Sequence, residues 1–184
     1  MSVTERTYQA VAAKDPERRW ELHDGLLVEK PWMGNEHSDV KTYLGFDLIR
    51  QLDRERSRVH IDSTRLRESQ RRYYIPDVTV IPIELFRRGL GQPGRLEFYS
   101  EPLPFVAEVW SISTGRFDVD EKLPAYRRRG DLEIWRLHPY ERTLTVWRRQ
   151  PDGTYSESLY HGGLVRMESL PGVTIDLDAL FDFR

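Results

Sequence analysis

Two acidic residues stand in otherwise apolar stretches of this chain, at positions that could support metal-ion chemistry. Asp77 lies in YIPDVTVIP (74–82), and Glu108 lies in FVAEVWSIST (105–114). A carboxylate in an apolar strand needs a partner, because burying an unpaired charge is costly or forces the group to neutralise itself. That partner can be a cation from the protein, a set of hydrogen-bond donors or a metal ion.

Each acid has an ordinary structural explanation beside the metal-binding one. Asp77 follows a proline and could accept hydrogen bonds from nearby backbone, while Glu108 could pair with one of the many arginines. Hard divalent cations such as Mg²⁺ prefer oxygen ligands, commonly one or two carboxylates together with water and substrate phosphates. Two acids that converge from the ends of neighbouring strands would supply such a site.

The hydrophobic pattern predicts an α/β chain in which helices alternate with groups of strands. Val40, Leu44, Leu48 and Leu52 form one apolar stripe of a predicted helix, and Asp24 with Gly25 forms a tight-turn dipeptide between two alternating runs. The predicted helices are 4–13, 35–52 and 117–129, the last ended by Gly130; the predicted strands are 18–31 as a hairpin, 58–68, 74–81, 104–110, 132–138, 143–149, 154–160, 164–168 and 173–176; a loop is predicted at 87–102 and a last turn at 177–181. A helix between the strands 104–110 and 132–138 predicts at least one parallel pair in a mixed sheet.

Length and composition restrict the class of protein. A chain of 184 residues fits one domain, and we treat residues 1–184 as a single unit. The absence of cysteine excludes disulfides, thiolate metal sites and thiol nucleophiles. The N-terminal stretch has no apolar signal region, and no apolar run approaches the ~20 residues that span a bilayer. These features predict a cytoplasmic protein with no membrane partner.

Basic residues are unevenly distributed. The formal charge of −2 argues against a generally basic surface, and only four of the 28 basic residues are lysine. Arginine is concentrated in 54–74 and 126–130. Arginines at 54–72 and 127–129 are candidate contacts to a nucleic-acid backbone, since guanidinium groups bind phosphate well. The same bias could also reflect nothing more than genomic composition.

A series of motifs, in order and in register from about residue 19 to 181, resembles the Uma-two family of restriction endonucleases within the PD-(D/E)XK nuclease superfamily. The matching segments are WELHDGLLVEK, His37, PDVTV, EVWSIST, DVDEKLPAYRRRG, LEIWRLHP and LPGVTIDLDALF. Each motif alone is weak, and their number and order make the resemblance specific.

The resemblance implies a fold and a chemistry. The fold would be a restriction-endonuclease-like α/β core with a mixed β-sheet flanked by helices. Asp77 and Glu108 would bind Mg²⁺ or Mn²⁺, and Lys122 would orient the attacking water. His37 and Glu21 are the other positions that the family pattern marks as site residues. The implied partner is DNA, and an enzyme that cuts both strands is expected to form a homodimer.

The sequence departs from the superfamily pattern at one important position. The residue two after Glu108 is Trp110, where the superfamily has its lysine, so the lysine role passes to Lys122 on the following helix. The alternative function is a catalytically inactive nuclease-fold module that binds nucleic acid or acts as a scaffold, and the mildly acidic charge favours it. Action on RNA or branched DNA also stays open.

Overall fold

The computed structural model describes residues 2–92, 94–112 and 115–184. Residue 93 of the predicted loop and residues 113–114 of the EVWSIST motif lie outside this part of the chain. The elements are α1 (Glu5–Lys14), β1 (Trp20–His23), β2 (Leu26–Glu29), α2 (Asn35–Gln51), β3 (Ser57–Ile61), β4 (Leu66–Ser69), β5 (Arg72–Tyr74), β6 (Val78–Pro82), α3 (Ile83–Gly89), β7 (Phe105–Val109), α4 (Gly115–Phe117), a π-helical turn (Asp118–Lys122), α5 (Leu123–Arg129), β8 (Glu133–His138), β9 (Thr143–Arg149), β10 (Tyr155–Tyr160), β11 (Leu164–Arg166), β12 (Thr174–Asp176) and α6 (Leu177–Leu180).

A six-stranded mixed sheet forms the centre of the molecule, in the order β10-β9-β8-β7-β6-β3. Strands β7 and β8 are parallel, with Phe105 opposite Glu133, and the other pairs of this sheet are antiparallel. The helical segment 115–129 connects the two parallel strands. The predicted crossover and the predicted parallel pair are therefore both confirmed.

A second, four-stranded sheet carries the predicted hairpin, in the order β2-β1-β5-β4. Strands β1 and β2 pair antiparallel, with His23 opposite Leu26. Asp24 and Gly25 between them have φ angles of 49° and 86°, as a two-residue turn with positive φ at both positions requires. Strands β11 and β12 form a separate antiparallel pair near the C-terminus.

The strands predicted at 58–68 and 74–81 are each divided in two, which corrects the sequence-based boundaries. The first half of one and the second half of the other, β3 and β6, pair in the central sheet, whereas β4 and β5 pair in the second sheet. Pro76 has no backbone N–H to give to a ladder, and Asp62 adopts a φ of 52°, so the chain changes sheets at both points. Asp77 consequently lies just before β6, at the junction of the two sheets, and not within a strand.

Helix α2 covers the central sheet and supports the site from one side. Its inner stripe of Val40, Leu44 and Leu48 is fully buried in the core, as its spacing predicted. The described helices include none with the combined length and apolar character that crossing a membrane requires. Helix α3 begins at Ile83 and occupies the start of the region predicted as a loop from residue 87.

Candidate active site

The junction of the two sheets brings the two acids to the same end of neighbouring strands. Val78 pairs with Ala107 in the antiparallel register, and Asp77 and Glu108 are the next residues along β6 and β7 in that direction. The backbone N–H of Asp77 donates to the carbonyl of Ala107 (3.1 Å), and Val109 N–H donates to Asp77 Oδ2 (2.7 Å). Both carboxylates are buried, as the apolar flanking residues predicted.

Lys30 is the direct cationic partner of Asp77, and sequence reasoning missed it. Its Nζ donates to Asp77 Oδ1 (2.7 Å), to Asp62 Oδ1 (2.8 Å) and to the Ile75 carbonyl (2.9 Å). These contacts use all three donors of an ammonium group that is only 3 % exposed. Burial alone would raise the pKa of Asp77, but the charge of Lys30 and the His37 imidazole hold that pKa well below its usual range.

Lys122 is the cationic partner of the second acid, Glu108. Its Nζ lies 3.2 Å from Glu108 Oε1, 3.2 Å from Glu21 Oε1 and 3.7 Å from Asp118 Oδ1. The π-helical turn Asp118–Lys122 ends at this lysine, so its long side chain reaches back to the strand from the crossover helix. Burial lowers the pKa of Lys122, yet the surrounding carboxylates outweigh it and raise that pKa well above its usual value.

Glu21 connects the hairpin to the segment that precedes Asp77. Its Oε1 accepts a hydrogen bond from Ile75 N–H (2.7 Å), and its Oε2 lies 2.7 Å from His23 Nε2. Burial alone would raise the pKa of Glu21, but Lys122 and His23 outweigh this effect and lower the pKa to about 2. Glu21 therefore remains ionised at neutral pH and fixes the backbone on one side of the site.

Glu108 is the acid whose ionisation the protein resists. The Tyr126 hydroxyl donates a hydrogen bond to its Oε1 at 2.5 Å. Burial raises the pKa of Glu108 to about 8; Lys122 opposes that rise, and the neighbouring Asp118 and Asp77 add to it. Without an added cation, Glu108 therefore retains its proton to a higher pH than an ordinary glutamate does.

His37 is a buried imidazole beside Asp77. It lies in the first turn of α2 with 4 % of its surface exposed, and its Nε2 is 3.1 Å from Asp77 Oδ2. Neither ring nitrogen forms a well-aligned hydrogen bond with the residues described. Because buried polar atoms are usually hydrogen-bonded, the ring nitrogens of His37 have donor or acceptor capacity left for water or for a ligand beside Asp77.

The donor chemistry of the cluster fits a hard divalent cation. Four buried carboxylates face two buried ammonium groups, so the fully ionised cluster carries two excess negative charges; these residues are Glu21, Asp77, Glu108 and Asp118 against Lys30 and Lys122. Two strand-end carboxylates beside an imidazole are suitable ligands for such an ion. Over the residues described, however, no three His, Asp or Glu side chains converge as a ready-made metal site. The two ammonium groups lie among these acids, and a metal ion would compete with them.

The structure brings all five predicted site residues into this one cluster. The ammonium of Lys122 contacts Glu108 and Glu21. Asp77 contacts His37 at the start of α2. The rarity of lysine was the available signal for what was missed. Three of the four lysines in the chain, Lys30, Lys41 and Lys122, lie in or beside the cluster.

Most of the arginines proposed as nucleic-acid contacts are engaged within the protein. Arg67 pairs with Glu5 at 2.6 Å, and Arg129 is buried against Asp131 and three backbone carbonyls. Further intramolecular contacts are made by Arg58, Arg72, Arg127 and Arg128. A buried guanidinium such as that of Arg129 stabilises the fold and is not presented to a ligand.

The pH dependence of stability follows from Glu108. Between its usual pKa of 4.5 and about 8, the folded metal-free protein retains a proton that the unfolded chain releases. The free energy of unfolding should therefore fall as pH rises through this window. Glu108→Gln, which carries no titratable proton, should lack this part of the decline. The measurement is urea unfolding of both proteins in EDTA from pH 5 to 8; parallel profiles would contradict the assignment.

Comparisons with known proteins agree with this fold. The family model described as "Uma2: Putative restriction endonuclease" matches residues 6–178, slightly further toward the N-terminus than the resemblance inferred over about 19–181. A crystal structure of a "putative nuclease belonging to DUF820" from Anabaena variabilis is similar, with a TM-score of 0.72 and 16% sequence identity. The match covers 88% of this chain and 89% of that one. No curated protein matches. The predicted α/β fold class is thereby confirmed.

Proposed function

The chain belongs to the Uma2 family, and from this premise we propose that it is a metal-dependent endonuclease that hydrolyses phosphodiester bonds in DNA. The observation that carries the proposal is that the buried side chains of Asp77, Glu108 and Lys122 lie close together at one end of the central sheet. Carboxylates and an ammonium in this arrangement suit phosphoryl chemistry, which depends on positioning and on charge stabilisation.

Asp77 and Glu108 would hold the metal ion, Mg²⁺ or Mn²⁺. When bound, such an ion polarises the scissile phosphate and lowers the pKa of a water molecule. Lys30 keeps Asp77 ionised and fixed in orientation, and Val109 N–H restrains its second oxygen. Tyr126 restrains Glu108 in the same way. Both acids are thus oriented before any ligand arrives.

Lys122 would position the attacking water and offset negative charge on the phosphate. Its ammonium lies 3.2 Å from Glu108 Oε1, so a water held by Lys122 would be adjacent to that carboxylate. Glu21 holds the ammonium from the other side at 3.2 Å. The ring nitrogens of His37 form no well-aligned hydrogen bond with the residues described, and the imidazole could donate one to a phosphate oxygen beside Asp77.

A plasmid assay tests this function. The wild-type protein should nick or linearise supercoiled DNA with Mg²⁺ or Mn²⁺, and EDTA should abolish cleavage. Glu108→Gln should be inactive, because the neutral amide retains the size of the side chain and loses its charge. Lys14→Met is the matched control, since Lys14 is an exposed lysine at the end of α1 and is not a member of the cluster. Equal cleavage by wild type and Glu108→Gln would refute the proposal.

A second candidate, an inactive nuclease-fold module, is favoured by one observation. The ammonium of Lys30 already satisfies its three donors with Asp77, Asp62 and Ile75, so this half of the site is complete without a metal ion. A module of this kind would bind nucleic acid and would not cleave it.

For the endonuclease, cutting both strands needs two active sites, and we therefore propose a homodimer.

A further inference from the structure

A second group of cations adjoins the acid cluster on the side of α2 and the hairpin. Asp62 forms ion pairs with Arg19 (2.9 Å), with Lys30 (2.8 Å) and with Lys41. Lys30 in turn binds Asp77, so this group is one side chain away from a proposed metal ligand. Apart from Lys30 and Asp77, which belong to the acid cluster, two cations (Arg19 and Lys41) face one carboxylate (Asp62), which leaves one positive charge in excess beside that cluster.

The outer cations are accessible, whereas Lys30 is not. The side chain of Arg19 is 22% exposed and that of Lys41 is 13% exposed, against 3% for Lys30. Arg19 and Lys41 can therefore exchange contacts with Asp62 for contacts with a ligand in solvent. Their partner Asp62 holds them in place beforehand.

Trp32 stands beside these cations and is 88% exposed. The guanidinium of Arg19 lies 5.1 Å from the centroid of its indole ring. A tryptophan this exposed contributes little to the core, so its indole face is available to a ligand, and an aromatic face next to cations is the combination that single-strand binding sites use. Its position in the segment between β2 and α2 is only five residues before His37.

We propose that Trp32, Arg19 and Lys41 form a subsite for an unpaired nucleotide, with the base stacked on the indole and a phosphate bound by the two cations. A base inside a duplex is already stacked on its neighbours, so only an unpaired base offers a free face. Aromatic stacking combined with cations along the backbone is the usual chemistry of single-strand binding. This inference rests on the proposed nuclease function and specifies its substrate as DNA with an unpaired segment at the site.

Fluorescence anisotropy in EDTA separates this binding from cleavage. The probes are a labelled oligothymidine of about 12 nucleotides, within the usual range of single-strand site sizes, and a blunt duplex of the same length. The wild type should bind the single strand more tightly than the duplex. Trp32→Ala should weaken single-strand binding by about 5- to 100-fold, the loss expected for one stacked base. Trp32→Phe should retain most of the affinity, because it keeps an aromatic face.

Two further variants distinguish the base contact from the phosphate contact. Lys41→Gln should reduce the slope of log K against log salt by about 0.7, the value for one phosphate contact to a single strand. Trp32→Ala should leave that slope unchanged, because stacking releases no counterions. Tyr43→Ala is the matched control, since Tyr43 is an exposed aromatic residue (57%) on α2. It should bind as the wild type does.

The inference fails if Trp32→Ala binds the single strand as tightly as the wild type, or if it weakens duplex and single-strand binding equally. The failure of the proposed function would look different. Single-strand binding that depends on Trp32, with no cleavage by wild type in either metal, would overturn the nuclease and leave the subsite intact. Cleavage by the wild type, together with unchanged single-strand binding by Trp32→Ala, would support the nuclease and overturn the subsite.

Discussion

Replacing Lys122 with methionine should destabilise the folded protein by about 3–5 kcal/mol near pH 8, the usual cost of removing one partner from a buried ion pair. The ammonium lies among the carboxylates of Glu21, Glu108 and Asp118, and methionine has a similar length without charge. Urea unfolding gives the free energy directly. The expected loss is a large fraction of the stability of an ordinary domain.

The pH dependence of this loss identifies its cause. Lys122 lowers the pKa of both Glu21 and Glu108, so both values should rise in the variant. An acid whose pKa is raised in the folded state makes the free energy of unfolding fall as pH increases. The difference in the free energy of unfolding between wild type and variant should therefore shrink toward pH 5. Lys14→Met, which removes an exposed lysine, should cost little at either pH. A loss from Lys122→Met that is the same at pH 5 and pH 8 would indicate a packing defect.

Asp77→Asn should reduce metal-dependent DNA cleavage by more than about 100-fold, since even residues that only orient metal ligands affect affinity or activity by 10- to 100-fold. Asparagine keeps the size of the side chain and an oxygen to accept from Val109 N–H, but it removes the charge. Initial rates of plasmid cleavage across a range of Mn²⁺ concentrations give the comparison.

Asp62→Asn is the matched control for this change. Both aspartates accept from Lys30 Nζ, at 2.7 Å for Asp77 and 2.8 Å for Asp62, and only Asp77 is a proposed metal ligand. The positive φ of Asp62 is a conformation that asparagine also tolerates. Asp62→Asn should therefore cleave far better than Asp77→Asn. Equal losses of cleavage rate in the two variants would mean that cleavage depends on the arrangement of acids around Lys30, and that Asp77 does not act as a metal ligand.

The site was predictable where a single residue type stands out against its local sequence. Asp77 and Glu108 interrupt apolar stretches, and Lys122 is a rare lysine on the crossover helix. Lys30 could not be found in this way, because it lies 47 residues from Asp77 in the sequence and at the end of an ordinary hairpin. Its role depends on how two sheets meet, which local patterns do not encode.

The fold shows the same division between local and non-local information. The hairpin turn, the apolar stripe of α2 and the helix end at Gly130 depend on short-range rules, and all three are confirmed. The predicted strands 58–68 and 74–81 were wrong in their continuity, because apolar residues continue while the chain passes from one sheet to the other. This crossing places Asp77 at the junction of the sheets, beside Lys30 and His37.

The most direct test of the account is a calorimetric titration of the metal-free wild-type protein with Mn²⁺, repeated on Asp77→Asn. The account predicts saturable binding by the wild type, and the loss of that binding in Asp77→Asn. The excess negative charge of the cluster and the imidazole of His37 beside Asp77 are the reasons for this expectation. Absence of binding by the wild type at millimolar Mn²⁺, or equal binding by both proteins, would contradict it. In that case the buried lysines, and not a metal ion, would supply the positive charge beside the buried acids.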